Sequence, residues 1–229
     1  MTELFGTVDF GPLWLTVHLA GITTLILLLV GTALGWWLAM TRSRIRPVIE
    51  ALVTLPLVLP PTVLGFYLLV LFSPGSAIGG LVLQATGTTL AFSFSGLVVA
   101  SVIYSLPFAV QPLQAAFEAI GHAPLEAAAS LRAGPFDTFI NVVLPLAARG
   151  YLVAAVLAFA HTIGEFGVVL MVGGNIPGET RLISVAIYEY VETIDYASAH
   201  VLSGIMLAFS FSVLLLVYGL NRSLRPGLR

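Results

Sequence analysis

The sequence predicts an all-α integral membrane protein with five transmembrane helices and a long helical loop on one side. Three observations carry this prediction. Hydrophobic residues make up 59% of the 229 residues and charged ones only 9%, against roughly 25% charged in an ordinary soluble domain. Five apolar stretches are long enough to cross a bilayer, which takes about 20 residues of helix. The basic side chains are nine arginines, with no lysine, and they fall unevenly between those stretches.

The stretches are residues 13–40, 49–72, 90–113, 151–172 and 201–220. The first is long enough, at about 42 Å of helix, to tilt or to extend beyond the hydrocarbon. Residues 1–11 hold Glu3 and Asp9 and no basic residue, the reverse of a cleavable signal, so the first stretch reads as a permanent span. No repeat or low-complexity tract divides the chain, and 1–229 is expected to form a single transmembrane domain. The absence of cysteine excludes disulfides, thiolate metal sites and cysteine nucleophiles.

Orientation follows from the arginines. Arg42, Arg44 and Arg46 lie between spans one and two, and Arg132 and Arg149 between spans three and four. Arg222, Arg225 and Arg229 form the tail, leaving only Arg181 on the other side, beside Glu179, Glu189, Glu192 and Asp195. Basic loops stay in the cytoplasm, so the N-terminus is expected in the periplasm and the C-terminus in the cytoplasm.

The loop 118–145 between spans three and four carries the most specific signal. Pro124 stands where a helix would begin, followed by Glu126-Ala127-Ala128, and Gly134-Pro135 is a stop signal. A second amphipathic stretch, 136–143, leads to Leu144-Pro145. Small alanines let another protein approach the backbone, and Glu126 fixes a negative charge near the helix start. Roughly 30 residues of patterned helix exceed what a bare connection needs.

Glu126-Ala127-Ala128, Gly134 and Leu144-Pro145 resemble the EAA loop of ABC importer permeases, with consensus EAA-x3-G-x9-I-x-L-P. The consensus glycine position holds Arg132 here, with Gly134 two residues later, and the isoleucine position holds Val142. The resemblance implies that these residues form a coupling helix docking on a cytoplasmic ATPase. Three more blocks extend it over the chain: Leu55-Pro56 through Pro60, Pro61 and Gly65; Gly164-Glu165-Phe166-Gly167; and Asn175 through Pro177, Gly178, Glu179 and Thr180. Together they are similar to molybdate permeases, with tungstate and sulfate or thiosulfate permeases as relatives sharing the signatures. That likeness implies an inner-membrane dimer with a second copy, two cytoplasmic ATPase subunits holding ATP and Mg²⁺, and a periplasmic molybdate-binding protein. It implies no cofactor, metal or nucleic acid on this chain.

The residues themselves mark candidate pathway positions. Pro56, Pro60 and Pro61 remove backbone donors from span two and should kink or unwind it, either as a packing feature or as part of a gate. Glu165 is the only acidic residue well inside a span, a functional position by default. His161, one turn earlier, is its expected partner, and Gly164 and Gly167 are expected to admit a neighbouring helix. A lone carboxylate would repel a dianion, so packing or gate-latching suits Glu165 better than substrate contact. His18 in span one is expected to be structural. The loop 173–200, with Asn175, Pro177, Gly178 and Thr180, is expected to meet the binding protein, line the outer vestibule or simply pack.

Other classes fit less well. No hydrolase motif and no phosphate loop of the GxxxxGK type occurs, so the chain is expected to hydrolyse nothing itself. A secondary transporter usually shows inverted repeats and several intramembrane charges. A channel would leave the Glu-Ala-Ala loop without a purpose.

Overall fold

The computed structural model describes residues 9–223, and every regular element among them is helical. Glu3, used above against a cleavable signal, and Arg225 and Arg229, used for orientation, lie outside the described residues. Helix α1 (Gly11–Met40) starts with Pro12 in its first turn and runs 30 residues, about 45 Å. Helices α2 (Arg46–Val58) and α3 (Pro61–Phe72) meet at a bend of 112°. A short α4 (Ala77–Thr86) begins at Ser76, whose side chain accepts from the Gly79 amide, and ends at Gly87 in the left-handed region (φ 74°).

The third long element is α5 (Phe94–Ile120), followed by α6 (Ala123–Ser130) and α7 (Pro135–Leu146). Helix α8 (Ala148–Gly164) leaves α7 at 71°, and α9 (Gly167–Gly173) continues after a two-residue break. Helix α10 (Ile183–Glu192) precedes α11 (Tyr196–Ser223). Helices α1, α5 and the Tyr196–Leu215 part of α11 are each long and apolar enough to cross a membrane alone. Counting α2 with α3, and α7 with α8, as one bent span each gives five.

The third, fourth and fifth spans differ from expectation in their boundaries. The third span begins at Phe94 rather than 90, because Ser93 caps it by accepting from the Gly96 amide at 3.1 Å. It continues to Ile120 rather than 113, because Gln114 and Glu118 lie one turn apart and bond within a polar cluster. The fourth stretch is not one helix over 151–172 but is broken at Glu165 and Phe166. The fifth starts at Tyr196 rather than 201, because Asp195 accepts from the Ser198 amide.

Helix α5 is the hub, packed against α1, α2, α8 and α9. Small residues set how closely it is approached. A Cβ at Gly35 would lie 3.1 Å from the Gln114 backbone nitrogen, and Leu27, Ala109 and Ala158 bring α1, α5 and α8 together in one buried cluster. Without water to drive apolar association inside a bilayer, such close backbone approach is what holds helices together.

Two contacts fix which ends belong together. Arg46 at the start of α2 reaches Glu118 at the end of α5 (Nη2–Oε1 2.8 Å). At the other end of α1, the Thr16 hydroxyl accepts from the Ile183 amide of α10 at 2.9 Å.

Candidate functional site

Two of the three prolines of span two, Pro60 and Pro61, break it as their chemistry requires, whereas Pro56 stays buried inside the continuous helix α2. Leu59, held extended before Pro60, ends α2 (φ −74°, ψ 137°). Pro60 caps α3, and Pro61 takes its first turn, where a missing N–H costs nothing. Helix α3 then packs on α9, and a Cβ at Gly167 would lie 2.7 Å from the Pro61 Cβ. Gly167 thus admits the proline break. Gly164 does not play the same part: a Cβ there meets nothing within 4 Å, and the residue borders open space.

That space is a cleft of about 520 Å³, lined by Pro61, Thr62, Tyr104, Ala160, His161, Gly164, Glu165, Phe166 and Gly167. Glu165 terminates α8 in an extended conformation (φ −71°, ψ 135°). Its Oε1 accepts from the Val168 amide at 2.7 Å, satisfying one of the open donors of α9. Its backbone carbonyl accepts from the Ser184 hydroxyl of α10 at 2.6 Å. The residue is 6% exposed, and the carboxylate is spent on closing a helix end.

The expected pairing of Glu165 with His161 is not formed. The helix ends before Glu165, which takes the carboxylate away from the turn on which residues four apart meet. His161 Nδ1 instead lies 2.8 Å from the Ser105 hydroxyl. The imidazole stacks on Phe108 (ring centroids 4.0 Å) and sits 4.7 Å from the Tyr104 ring. His18, expected to be structural, lies between the Trp14 and Phe94 rings at 6.5 and 5.4 Å. Thr62, Tyr104 and Ser105 escaped the sequence reading. Polar residues inside apolar helices were the available signal, but only the fold shows which of them face one another.

The loop 118–145 forms a compact corner. Pro124 stands in the first turn of α6 with Glu126, and the helix ends as Arg132 turns left-handed (φ 58°). The consensus glycine position therefore keeps a glycine-like backbone although it holds arginine. The helix stops there and not at Gly134, which is extended (φ −71°, ψ 163°) and caps α7. Ala128 is turned inward (7% exposed), its carbonyl accepting from the Leu131 and Ala133 amides. Glu126 and Ala127 face out, and Leu131 and Phe136 stand 84% and 80% exposed.

Pro145 explains the odd turn that follows. It has no N–H for the Asn141 carbonyl, and its ring crowds that carbonyl. The ladder widens to a π turn over Phe139–Val143, in which the Leu144 amide reaches the Phe139 carbonyl. Val143 is fully buried beside Phe117 and Ala147, while Leu144 and Pro145 are exposed.

At the opposite end, the segment 173–182 is tied to α10. Asn175 Nδ2 and Arg181 Nη2 both donate to Glu189 Oε2, at 2.8 and 2.6 Å. The Thr180 hydroxyl is fully buried, donates to the Gly173 carbonyl at 2.6 Å and accepts from the Ile176 amide. Gly178 turns the chain at φ 79°, and Pro177 precedes it.

An all-helical membrane domain, with a helical corner projecting from one end and a broken, cleft-forming pair of helices in the middle, has the build of a transport permease. Residues 31–226 match the family described as "Binding-protein-dependent transport system inner membrane component", and the chain belongs to that family. It is therefore a multi-pass inner-membrane transport component. It is 59% identical over 220 residues to the "Molybdenum transport system permease protein ModB" of Azotobacter vinelandii, covering 96% of this chain and 97% of that one. The protein of the same name in Escherichia coli K12 is 36% identical over 78% of each chain. The "Sulfate transport system permease protein CysT" of Synechocystis is 34% identical over 82% of this chain and 65% of its own. In fold it resembles a bacterial alginate ABC transporter in complex with a pentasaccharide-bound periplasmic protein (TM-score 0.79, 16% identity, 97% of this chain and 81% of that one). The inward-facing MetNI methionine ABC transporter gives a TM-score of 0.74 at 17% identity, covering 98% of this chain and all of the other.

Proposed function

We propose that this chain is the permease subunit of an ATP-driven importer that carries molybdate into the cytoplasm. The observation that carries the reading is the 59% identity to a molybdenum transport permease over nearly the full length of both chains. Two copies related by a two-fold axis would enclose the pathway. A periplasmic molybdate-binding protein delivers the anion, and two cytoplasmic ATPase subunits hold ATP and Mg²⁺. The N-terminus lies in the periplasm and the C-terminus in the cytoplasm.

In this reading Glu126 and Ala127 dock on the ATPase together with the exposed Leu131 and Phe136. Ala128, Gly134, Leu144 and Pro145 shape the corner that presents them. Closure of the ATPases on ATP draws the two corners together and opens the periplasmic mouth; hydrolysis returns the pair toward the cytoplasm. The bends at Pro60-Pro61 and at Gly164–Gly167 are the places where helix segments can tilt against one another. Asn175, Pro177, Gly178 and Thr180 hold the periplasmic loop that meets the binding protein.

The test is uptake of labelled molybdate by proteoliposomes holding the permease with its ATPase, with and without the binding protein. Uptake that needs both partners and resists a tenfold excess of sulfate supports molybdate. Suppression by sulfate at equal concentration would transfer the assignment to sulfate, the substrate named for relatives at 32–34% identity. Tungstate competes in the same assay.

A further inference from the structure

Two consecutive prolines leave one end of a helix open in the middle of the membrane. Inside a helix each carbonyl accepts from the amide four positions on. For Pro56 and Leu57 those positions are Pro60 and Pro61, which have no N–H. The last bond of α2 runs from the Leu59 amide to the Leu55 carbonyl, and the Val63 and Leu64 amides turn to the Pro60 carbonyl. Among the described residues, no donor bonds the carbonyls of Pro56, Leu57, Val58 and Leu59.

The break lies deep. About 20 Å of α2 separates it from Arg46, and about 18 Å of α3 follows it. It is also bare: Val58 is 79% exposed, Pro60, Pro61 and Thr62 are exposed, and so are Phe66 and Tyr67 on the next turn of α3. Lipid tails offer a carbonyl no donor, so irregular backbone at this depth must meet protein or line water.

A second copy does not meet the need unaided. Across a two-fold axis a face meets its own counterpart, which sets carbonyls against carbonyls. That face offers three donors, the Thr62 amide and the Thr62 and Tyr67 hydroxyls, against four open carbonyls that can each accept twice. The adjoining cleft, which shares Pro61 and Thr62, adds a further acceptor in the Glu165 carboxylate. Acceptors facing acceptors need donors between them, and water supplies those.

We propose that the span-two break, Leu57 to Thr62, faces a second copy of this chain across a water-filled seam, with the open carbonyls anchoring the water. This rests on reading the chain as one half of an oxyanion permease. A tetrahedral oxyanion carries acceptors and no donor, so it passes these carbonyls with water between, keeping part of its hydration shell.

The experiment uses the complete complex, permease with ATPase and binding protein, in lipid nanodiscs, which leave both faces of the bilayer open to reagent. The permease has no cysteine, so Val58→Cys reports on the break alone when mass is read on the separated subunit. Leu29→Cys on α1 and Leu207→Cys on α11 replace residues 76% and 74% exposed, equally bare positions on unbroken helices. Two water-soluble methanethiosulfonates are applied, one bearing a sulfonate and one a trimethylammonium group, with and without ATP and vanadate. In at least one of these states both reagents should label Val58→Cys about tenfold faster than either control, because only a thiol in water forms the reactive thiolate. Labelling no faster than the controls in both states means that lipid or a dry contact covers the break. Labelling by the cationic reagent alone means that a cation fills it. Either result overturns the seam. Pro60→Ala combined with Pro61→Ala returns N–H groups to the Pro56 and Leu57 carbonyls and should slow labelling of Val58→Cys. An unchanged rate in a variant that melts as the parent does removes the carbonyls as the anchor. Binding-protein-dependent uptake of labelled molybdate by the unaltered complex is measured separately in proteoliposomes. Its absence takes down the oxyanion reading, while the labelling still decides whether water reaches the break.

Discussion

Arg46 and Glu118 meet at 2.8 Å across 72 positions of sequence, joining the loop after the first span to the last turn of the third. Glu118 Oε1 also accepts from Gln114, which bonds Glu50, itself paired with Arg46 at 2.8 Å. The pairs are partly exposed, so their worth in stability is small. Their value is positional: the two arginine-bearing connections belong to one end of the bundle.

That relationship sharpens the topology test. The chain has no cysteine, so single cysteines can be introduced without background. Arg44→Cys and Arg225→Cys should react only with a membrane-permeant reagent, and Glu179→Cys with an impermeant one added outside. Labelling of position 225 from the periplasm breaks the five-span arrangement.

The corner at 118–145 yields a second prediction. Ala128 is packed inward and Ala127 faces out, so a bulky residue should act differently at each. Ala128→Trp overpacks the corner, at about 1–3 kcal/mol, and should reduce the amount of folded protein in the membrane. Ala127→Trp and Leu131→Asp should leave that amount unchanged and abolish binding-protein-stimulated ATP hydrolysis. Quantified membrane abundance beside ATPase rates separates the two, and full stimulation in both surface variants would remove docking from this face.

Arg132 makes a third case. A left-handed backbone costs a residue with a Cβ roughly 1–2 kcal/mol and glycine almost nothing. Arg132→Gly should therefore raise thermal stability in detergent, by up to about 1 kcal/mol. Arg132→Val should lower it, because a β-branched side chain tolerates φ 58° poorly. A lower melting temperature for the glycine variant would mean that the arginine side chain itself holds the corner.

How far the sequence was readable varies with the kind of signal. Span existence rests on composition, and no packing partner can alter it, so the apolar stretches and the break at Pro60-Pro61 were legible. Pro124 at the start of α6 was legible for the same reason, because proline acts on its own backbone. The break at Glu165 was not: Gly-Glu-Phe-Gly is apolar enough to continue a helix. It ends because the carboxylate captures the Val168 amide and Ser184 of α10 captures the carbonyl. The inward turn of Ala128 and the cleft that Thr62 and Tyr104 line together depend on distant helices, and local pattern holds no record of them.

Asp195 gives a pH-dependent prediction outside the spans. The Ser198 hydrogen bonds hold its carboxyl below the usual carboxylate range, and it caps α11 through the Ser198 amide at 3.2 Å. A depressed pKa means that the cap's stabilisation is present above the unfolded carboxyl's pKa. It is lost as pH falls through the lower, folded value. Hydrogen exchange in the first turn of α11 should therefore quicken, relative to its intrinsic rate, only in acid. Asp195→Asn keeps an acceptor and should flatten that dependence; an unchanged acid response in this variant assigns the effect to another group.

Glu165 decides between a cap and a charge. Its Oε1 accepts from the Val168 amide, and the residue is buried at the junction of α8 and α9. Glutamine has the same length and keeps a carbonyl oxygen for that amide, so Glu165→Gln should retain most transport. Glu165→Ala removes the acceptor, leaves a buried N–H without a partner and opens a void beside the cleft. Loss of a helix cap costs about 0.5–2 kcal/mol, and a void adds to it. The alanine variant should therefore melt at a lower temperature and transport considerably less. His161 is held by Ser105, not by Glu165, so neither variant should release the imidazole, and its NMR shifts should stay in place. Uptake, ATP hydrolysis and melting temperature on both variants at matched abundance make the comparison complete. Equal and complete loss of transport in the glutamine and alanine variants, with the glutamine protein as stable as the parent, would show that the negative charge itself is required and that capping does not describe this residue.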